Sequence, residues 1–226
     1  MTITLIKPAE PWAQTADEAS QRKYGRAAQA ELALRNGLET WCHDRWPDSR
    51  VVHEIVMGEG RVRADVAAIA PNHIAAFEVK GSYDDTTRLL HQVGMFQLCV
   101  PEVWMVVATN HGDDAEMIHW LLPSVGLLTG KPIDEWEYKD GRSAALTVVH
   151  EAVPRQPIPE MVLRLLWADE LRNACNALRF GAGPKATRKH CVDLLLEAKP
   201  DDLMTAVCTQ LRSRHALWRA DPPVEH

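Results

Sequence analysis

Paired cysteines are missing from this chain, and their absence argues against two classes of small stabilised domain. The five cysteines are scattered along 226 residues, and no two of them form a Cys-x-x-Cys pair. Dispersed thiols in odd number argue against a disulfide framework and a zinc knuckle, and they favour reduced thiols in a cytoplasmic protein. Ten histidines are present, but none stands in a His-Glu-x-x-His or similar spacing, so we interpret most as surface or packing residues.

Long apolar runs are also missing. No run is long enough to cross a bilayer, and the first residues lack the basic-then-apolar order of a signal peptide. We therefore expect no membrane partner. A hydrophobic share of 46% is typical of a globular protein, and the length suits one domain of ordinary size with a smaller one.

An excess of positive charge is absent as well. The formal net charge is -6, whereas a nucleic-acid-binding domain is usually basic. The distribution is uneven, because residues 1–154 carry a balance of -8 and residues 155–220 carry a balance of +4. The acidic part and the basic part are separated by Pro154, Pro157 and Pro159, which indicate a stiff linker.

The stretch from Arg61 to Lys80 is predicted to form a β-hairpin. Its two apolar runs are separated by the sequence Pro-Asn-His at 71–73, which is typical of a turn between strands. Side chains alternate between the faces of a strand. Asp65 is therefore expected to share a face with the arginines at 61 and 63, opposite Val66. In the hairpin, Asp65 can meet Glu78 and Lys80 on one face.

This arrangement of charges predicts a metal site. Two carboxylates and an ammonium among apolar neighbours are costly to bury unless they pair or hold a metal. Close carboxylates repel each other, and a divalent cation relieves that repulsion. The alternative is a hairpin with a solvated charged face. A helix expected from about Thr86 to Leu98 follows, and it places Arg88 and Gln92 on one face, with Phe96 four residues later.

The spacing Asp-x12-Glu-x-Lys resembles the PD-(D/E)XK nuclease superfamily, in its RecB-like or Holliday-junction-resolvase-like branch, over roughly residues 28–108. The proline that usually precedes the first acid is replaced by Ala64. The resemblance implies an α/β fold, a restriction-endonuclease-like mixed sheet flanked by helices. It also implies Mg2+, with Mn2+ as a substitute, held by Asp65, Glu78 and the carbonyl of Val79. Lys80 would assist the attacking water.

The resemblance further implies a carboxylate from the first helix and a polar pair beside the metal. Glu31 lies nearer the apolar stripe of the helix predicted over 17–45 than Glu39 does, so Glu31 is the first choice and Glu54 the rival. Gln92 and Arg88 would contact the phosphate or the lysine. The predicted nucleic-acid contacts are Arg61, Arg63, Arg88, Lys185, Arg188 and Lys189.

The implied function is metal-dependent hydrolysis of phosphodiester bonds, most readily in DNA. The alternative is a non-catalytic nucleic-acid-binding or regulatory protein on the same scaffold. We also consider a homodimer.

Three units are expected along the chain: a nuclease-like domain over 1–153, the linker over 154–159 and a small helical domain over 160–226. Residues 1–16 are predicted to be an extended arm, and residues 134–140 a polar loop. Ser124–Leu128 is expected to be an edge strand, and residues 144–150 the last strand. Three C-terminal helices are expected over 161–180, 185–198 and 201–218, with Pro200-Asp201 capping the last.

Overall fold

The computed structural model of the protein describes residues 30–131, 143–215 and 219–224. The predicted arm over 1–16, the first part of the predicted helix over 17–45 and the predicted loop over 134–140 lie outside these residues. The rest of that first helix, α1, spans residues 30–45 and ends just before the turn at Pro47, as expected.

A six-stranded mixed sheet follows the chain order from one edge to the other. Its first three strands pair antiparallel, β3, β4 and β5 pair parallel, and β6 returns antiparallel. The strands are β1 (Arg50–Met57), β2 (Val62–Ile69), β3 (Ile74–Lys80), β4 (Glu102–Ala108), β5 (Gly126–Gly130) and β6 (Leu146–His150). The predicted hairpin and the buried central strand are confirmed, since β4 is buried along its whole length.

Helices cover both faces of the sheet. The apolar side of α1, with Leu34 and Leu38, packs against Phe77 and Trp104 on one face. The other helices pack on the opposite face. They are α2 (Leu89–Cys99), α3 (Gly112–Leu121), α4 (Pro159–Leu163), α5 (Ala168–Ala177), α6 (Arg188–Leu195) and α7 (Pro200–Ser213). The α/β class with a mixed, helix-flanked sheet is confirmed.

Three predictions for the strands and helices were wrong. β5 is not an edge strand, because β6 pairs with it on the side away from β4. The helix predicted over 161–180 is broken between α4 and α5. At this break the backbone of Trp167 is extended, and its N–H donates to the side chain of Glu170. The buried Arg214 donates to the carbonyl of Leu165 (2.8 Å). The last helix also begins differently, since Lys199 is its N-cap and Pro200 its first residue.

The C-terminal helices share a continuous apolar core with the sheet. Leu163, Leu171 and Leu211 belong to the same buried cluster as residues of β1 to β5. Arg50 of β1 strengthens this attachment, because its guanidinium donates to the carbonyls of Leu211, Arg212 and Arg214 at the end of α7. Cations are favoured at a helix C-terminus, where carbonyl groups lack intrahelical partners.

Candidate functional site

A cleft opens at the point where the pairing of β2 and β3 ends. The last paired residues on this side are Val66 and Phe77, and the neighbouring Asp65 and Glu78 border the opening. The cleft has a volume of about 470 Å³. We call it the sheet cleft, and its walls are Val56, Gly60, Arg61, Val62, Arg63, Asp65, Glu78, Lys80, Arg88, His91 and Gln92.

The strand bordering this cleft is irregular at Glu54. The pairing of β1 with β2 passes from His53–Val66 to Ile55–Ala64, and Glu54 has a left-handed backbone with φ of 59°. Such a conformation is strained for a residue other than glycine. The alternation of side chains between the two faces of β2 is interrupted here. Val66 packs in the core on the α1 side, which is also the side of Asp65. The expectation that Val66 lies on the face opposite Asp65 was therefore wrong.

Three carboxylates converge on one buried guanidinium at this irregularity. Arg35 of α1 approaches Glu31 (2.7 Å), Glu54 (2.9 Å) and Asp65 (2.7 Å). It also donates to the backbone carbonyl of Asp65 (3.0 Å). We call these four residues the arginine hub. The second carboxylate oxygen of Asp65 accepts the N–H of Val79 (2.7 Å), so both its oxygens are engaged.

The ionisation of the hub reflects burial and an excess of negative charge. Burial, followed by the charge of Glu78, raises the pKa of Asp65 to about 6. Burial also raises the pKa of Glu31, although Arg35 opposes this. For Arg35, burial alone would lower the pKa, but the charges of Asp65, Glu31 and Glu54 outweigh it and raise that pKa. The single guanidinium therefore remains charged and neutralises only part of the cluster.

A second polar cluster borders the cleft on the α2 side. Oε1 of Glu78 accepts from Lys80 Nζ (2.8 Å) and from Gln92 Nε2 (2.5 Å). Within the described residues, Glu78 Oε2 and Gln92 Oε1 are buried without a hydrogen-bond partner. Burial raises the pKa of Glu78, against the charge of Lys80. Asp65, Glu78 and Lys80 thus border one cleft, as predicted. Asp65 binds Arg35 on the α1 side, whereas Glu78 binds Lys80 and Gln92 on the α2 side.

The oxygen atoms, as arranged, do not form a ready Mg2+ site. Asp65 and Glu31 are bound to Arg35, and Glu78 is bound to Lys80 and Gln92. Among the residues that the structure describes, no three His, Cys, Asp or Glu side chains are grouped to hold a metal ion. A divalent ion binds through carboxylate oxygens. In each of these carboxylates, a protein cation or hydrogen-bond donor already occupies an oxygen that the ion would use. Binding of Mg2+ or Mn2+ at Asp65, Glu78, Glu31 and the carbonyl of Val79 stays a prediction.

The predicted nucleic-acid contacts fall into two groups. Arg61, Arg63 and Arg88 line the sheet cleft and are exposed. The side chain of Arg63 also pairs with Glu54. Arg188 and Lys189 lie in the first turn of α6, whereas Lys185 precedes that helix. Arg188 donates to the carbonyl of Leu166 (2.7 Å), so part of its guanidinium serves the fold.

The central residue of the site was not predicted from the sequence. Arg35 lies about 100° from the centre of the apolar stripe of α1, at roughly 100° per residue, which indicates an exposed side chain. One signal was available, because Glu31 and Arg35 are four residues apart on a helix. Two further residues were missed. His53 is buried beside Glu39 (2.7 Å), and His91 lines the sheet cleft.

Comparison with known proteins assigns the chain to a phage protein family and not to the PD-(D/E)XK nucleases. A family model described as bacteriophage P4 protein cII matches residues 28–220. The resemblance to the PD-(D/E)XK superfamily was therefore wrong as a family assignment, and the nuclease interpretation drawn from it is withdrawn. No curated protein and no solved structure matches the chain, so the restriction-endonuclease-like subclass of the fold is not confirmed. Within the described residues, no helix has the length and apolar character needed to span a membrane.

Proposed function

Because the chain belongs to the bacteriophage P4 protein cII family, we propose that it is a non-catalytic regulatory protein that binds nucleic acid in the sheet cleft. The observation that carries this proposal is the position of Arg35. Its guanidinium binds three carboxylates, including the Asp65 that a metal-dependent reaction would require. Pairing of Asp65 with a protein cation suits a binding scaffold, because the guanidinium takes the place on this carboxylate that a metal ion would need.

The cleft walls supply the charge that a phosphate backbone requires. Arg61, Arg63, Lys80 and Arg88 line the cleft, against the carboxylates of Asp65 and Glu78. Asp65 is offset by Arg35, and Glu78 by Lys80. The exposed arginines on the rim are therefore the groups that a phosphate meets first. Arginine presents several donors in a fixed fork that matches phosphate oxygens.

The proposal is tested by binding without metal. Fluorescence anisotropy with labelled duplex and single-stranded DNA, in EDTA and over a range of salt, should give an affinity that falls as salt rises. Replacing Arg61 and Arg88 together with glutamine should weaken binding to duplex DNA. It should also flatten the salt slope by about 2 units, at roughly 0.9 per contact. Arg155→Gln is the matched control, because this exposed arginine lies on the linker and lines neither cleft wall.

Two outcomes would overturn the proposal. One is an unchanged salt slope in the double variant, which would place any binding elsewhere. The other is cleavage of the labelled DNA by the wild-type protein when Mg2+ or Mn2+ is added, with loss of cleavage in Asp65→Ala. That result would restore a catalytic role for the carboxylates, whereas intact DNA on a denaturing gel supports the binding role.

A further inference from the structure

A second cleft shares the turn that joins β1 to β2, since Glu59 lines this cleft and Gly60 lines the sheet cleft. It has a volume of about 620 Å³ and is formed by that turn together with α4 and α6. We call it the helix cleft, and its walls are Glu59, Glu160, Arg164, Arg188, Lys189 and Val192. Arg164 was not among the basic residues selected from the sequence, but it lies here beside two that were.

The turn between the two clefts carries one carboxylate that faces both. Glu59 pairs with Arg164 of the helix cleft, and it lies 3.8 Å from Arg61 of the sheet cleft. Its backbone is left-handed, with φ of 63°, between two glycines that also have positive φ. Two arginines from separate clefts thus share one exposed anion, with the three-residue turn Gly58–Gly60 between them.

The charges of the helix cleft favour an anionic ligand. Arg164, Arg188 and Lys189 contribute three positive charges, and Glu59 and Glu160 contribute two negative ones. Removing the Glu59 carboxylate from its position would leave Arg164 and Arg61 facing the space that it occupies. A phosphate group has the charge and the acceptor oxygens to take that position.

We propose that the two clefts form one phosphate-binding track across the Gly58–Gly60 turn, and that Glu59 occupies a phosphate position on it in the free protein. This inference rests on the proposed function, since the track extends the same nucleic acid from the sheet cleft to the helix cleft. Arg164 and Lys189 hold the backbone beyond the turn. Glu59 weakens binding, because its carboxylate competes with and repels the incoming phosphate.

The track is tested with two sets of variants in the same anisotropy assay. Replacing Arg164 and Lys189 together with glutamine should weaken binding of duplex DNA and flatten the salt slope by about 2 units, at roughly 0.9 per contact. Glu59→Gln should instead tighten binding, by about 3- to 10-fold at low salt, because a like charge leaves the binding surface. Arg155→Gln and Asp169→Asn are the controls for the loss of one charge of each sign, since neither residue lines a cleft.

The outcomes separate this inference from the function on which it rests. Failure of the wild-type protein to bind any nucleic acid would overturn both. Normal binding that depends on Arg61 and Arg88, with no effect of the Arg164 and Lys189 double variant, would overturn the track alone. Weaker binding by Glu59→Gln, with an unchanged melting temperature, would also overturn the role given to Glu59.

Discussion

The arginine hub and the Arg214–Glu170 pair both bury a guanidinium, but they differ in charge balance. In the hub, Arg35 is surrounded by three carboxylates. Between the C-terminal helices, Arg214 meets the single carboxylate of Glu170 through two contacts, of 2.6 and 2.5 Å. Nη2 of Arg214 also donates to the carbonyl of Leu165, and the guanidinium lies 4.3 Å from the centre of the Trp167 ring.

The balanced pair is a structural contact of the fold, whereas the hub has features that are typical of functional sites. The Arg214–Glu170 pair is balanced, and it fixes the break between α4 and α5. The hub keeps an excess of negative charge, includes a strained residue in Glu54 and borders an open cleft. Buried charge that is not fully compensated costs stability, and perturbed ionisation of this kind is concentrated at functional sites.

The largest effect is expected when the hub loses its cation. Arg35→Met removes the cation that the three carboxylates share and leaves only Arg63 on Glu54 and the Val79 N–H on Asp65. Loss of one member of a buried pair costs about 3–5 kcal/mol. Urea unfolding at pH 7 in EDTA should show a loss of this size. Addition of Mn2+ or Ca2+ should restore part of it, because three converging carboxylates are ligands that hard cations prefer.

Arg214→Met is the matched variant in the balanced pair. It also leaves a buried carboxylate, that of Glu170, so a loss of similar size is expected. A single carboxylate makes a poor cation site, and divalent ions should therefore restore nothing. If Mn2+ restored the stability of Arg35→Met and Arg214→Met equally, the excess of negative charge in the hub would not be what binds the cation. That result would contradict the difference drawn between the two clusters.

The pH dependence of stability should also distinguish the hub. The pKa of Asp65 is raised in the folded protein to about 6 from 3.8, so the folded state binds more protons than the unfolded state between these values. Its contribution is present below about pH 4 and is lost as pH rises through 6. Asp65→Asn should remove on the order of 3 kcal/mol of this pH-dependent difference, at 1.36 kcal/mol per pKa unit.

The measurement is the free energy of unfolding from urea titrations at pH 4.5 to 7.5, compared between the wild type and Asp65→Asn. Asp169→Asn serves as control, because this aspartate is 87% exposed and lies outside the hub. If the free energy of unfolding of Asp65→Asn changes with pH as it does in the wild type, Asp65 does not have the raised pKa described here.

The smallest effect is expected at the most exposed carboxylate of the hub. The side chain of Glu31 is 31% exposed, so Glu31→Gln alone should change stability by less than about 1 kcal/mol. In the Arg35→Met background, the same change should reduce the stabilisation by Mn2+, because one ligand oxygen is removed. Glu39→Gln in that background should leave the Mn2+ effect unchanged, since Glu39 binds His53 and Arg219 outside the hub.

The sequence allowed correct prediction of the elements whose signal is local. The turn at 71–73 and the apolar run around Trp104 predicted the hairpin and the buried strand. The helix after Lys80 was also predicted, within a few residues. The position of β5 inside the sheet was missed, because strand order depends on long-range pairing that no local pattern records. The division into domains at 153 and 159 stays a prediction, although both parts contribute to one apolar core.

The hairpin pattern in the sequence predicted that Asp65, Glu78 and Lys80 lie together on one face. All three line the sheet cleft, but Asp65 lies on the α1 side and the other two on the α2 side, because the strand alternation slips at Glu54. The groups that neutralise them follow from the packing of the helices and not from the local pattern. Arg35 is 30 residues from Asp65 in the chain, and it enters the site because α1 packs against the sheet. The left-handed Glu54 then turns a third carboxylate towards it. Charges compensate through space, so the partner of a buried carboxylate is decided by packing and not by spacing in the sequence.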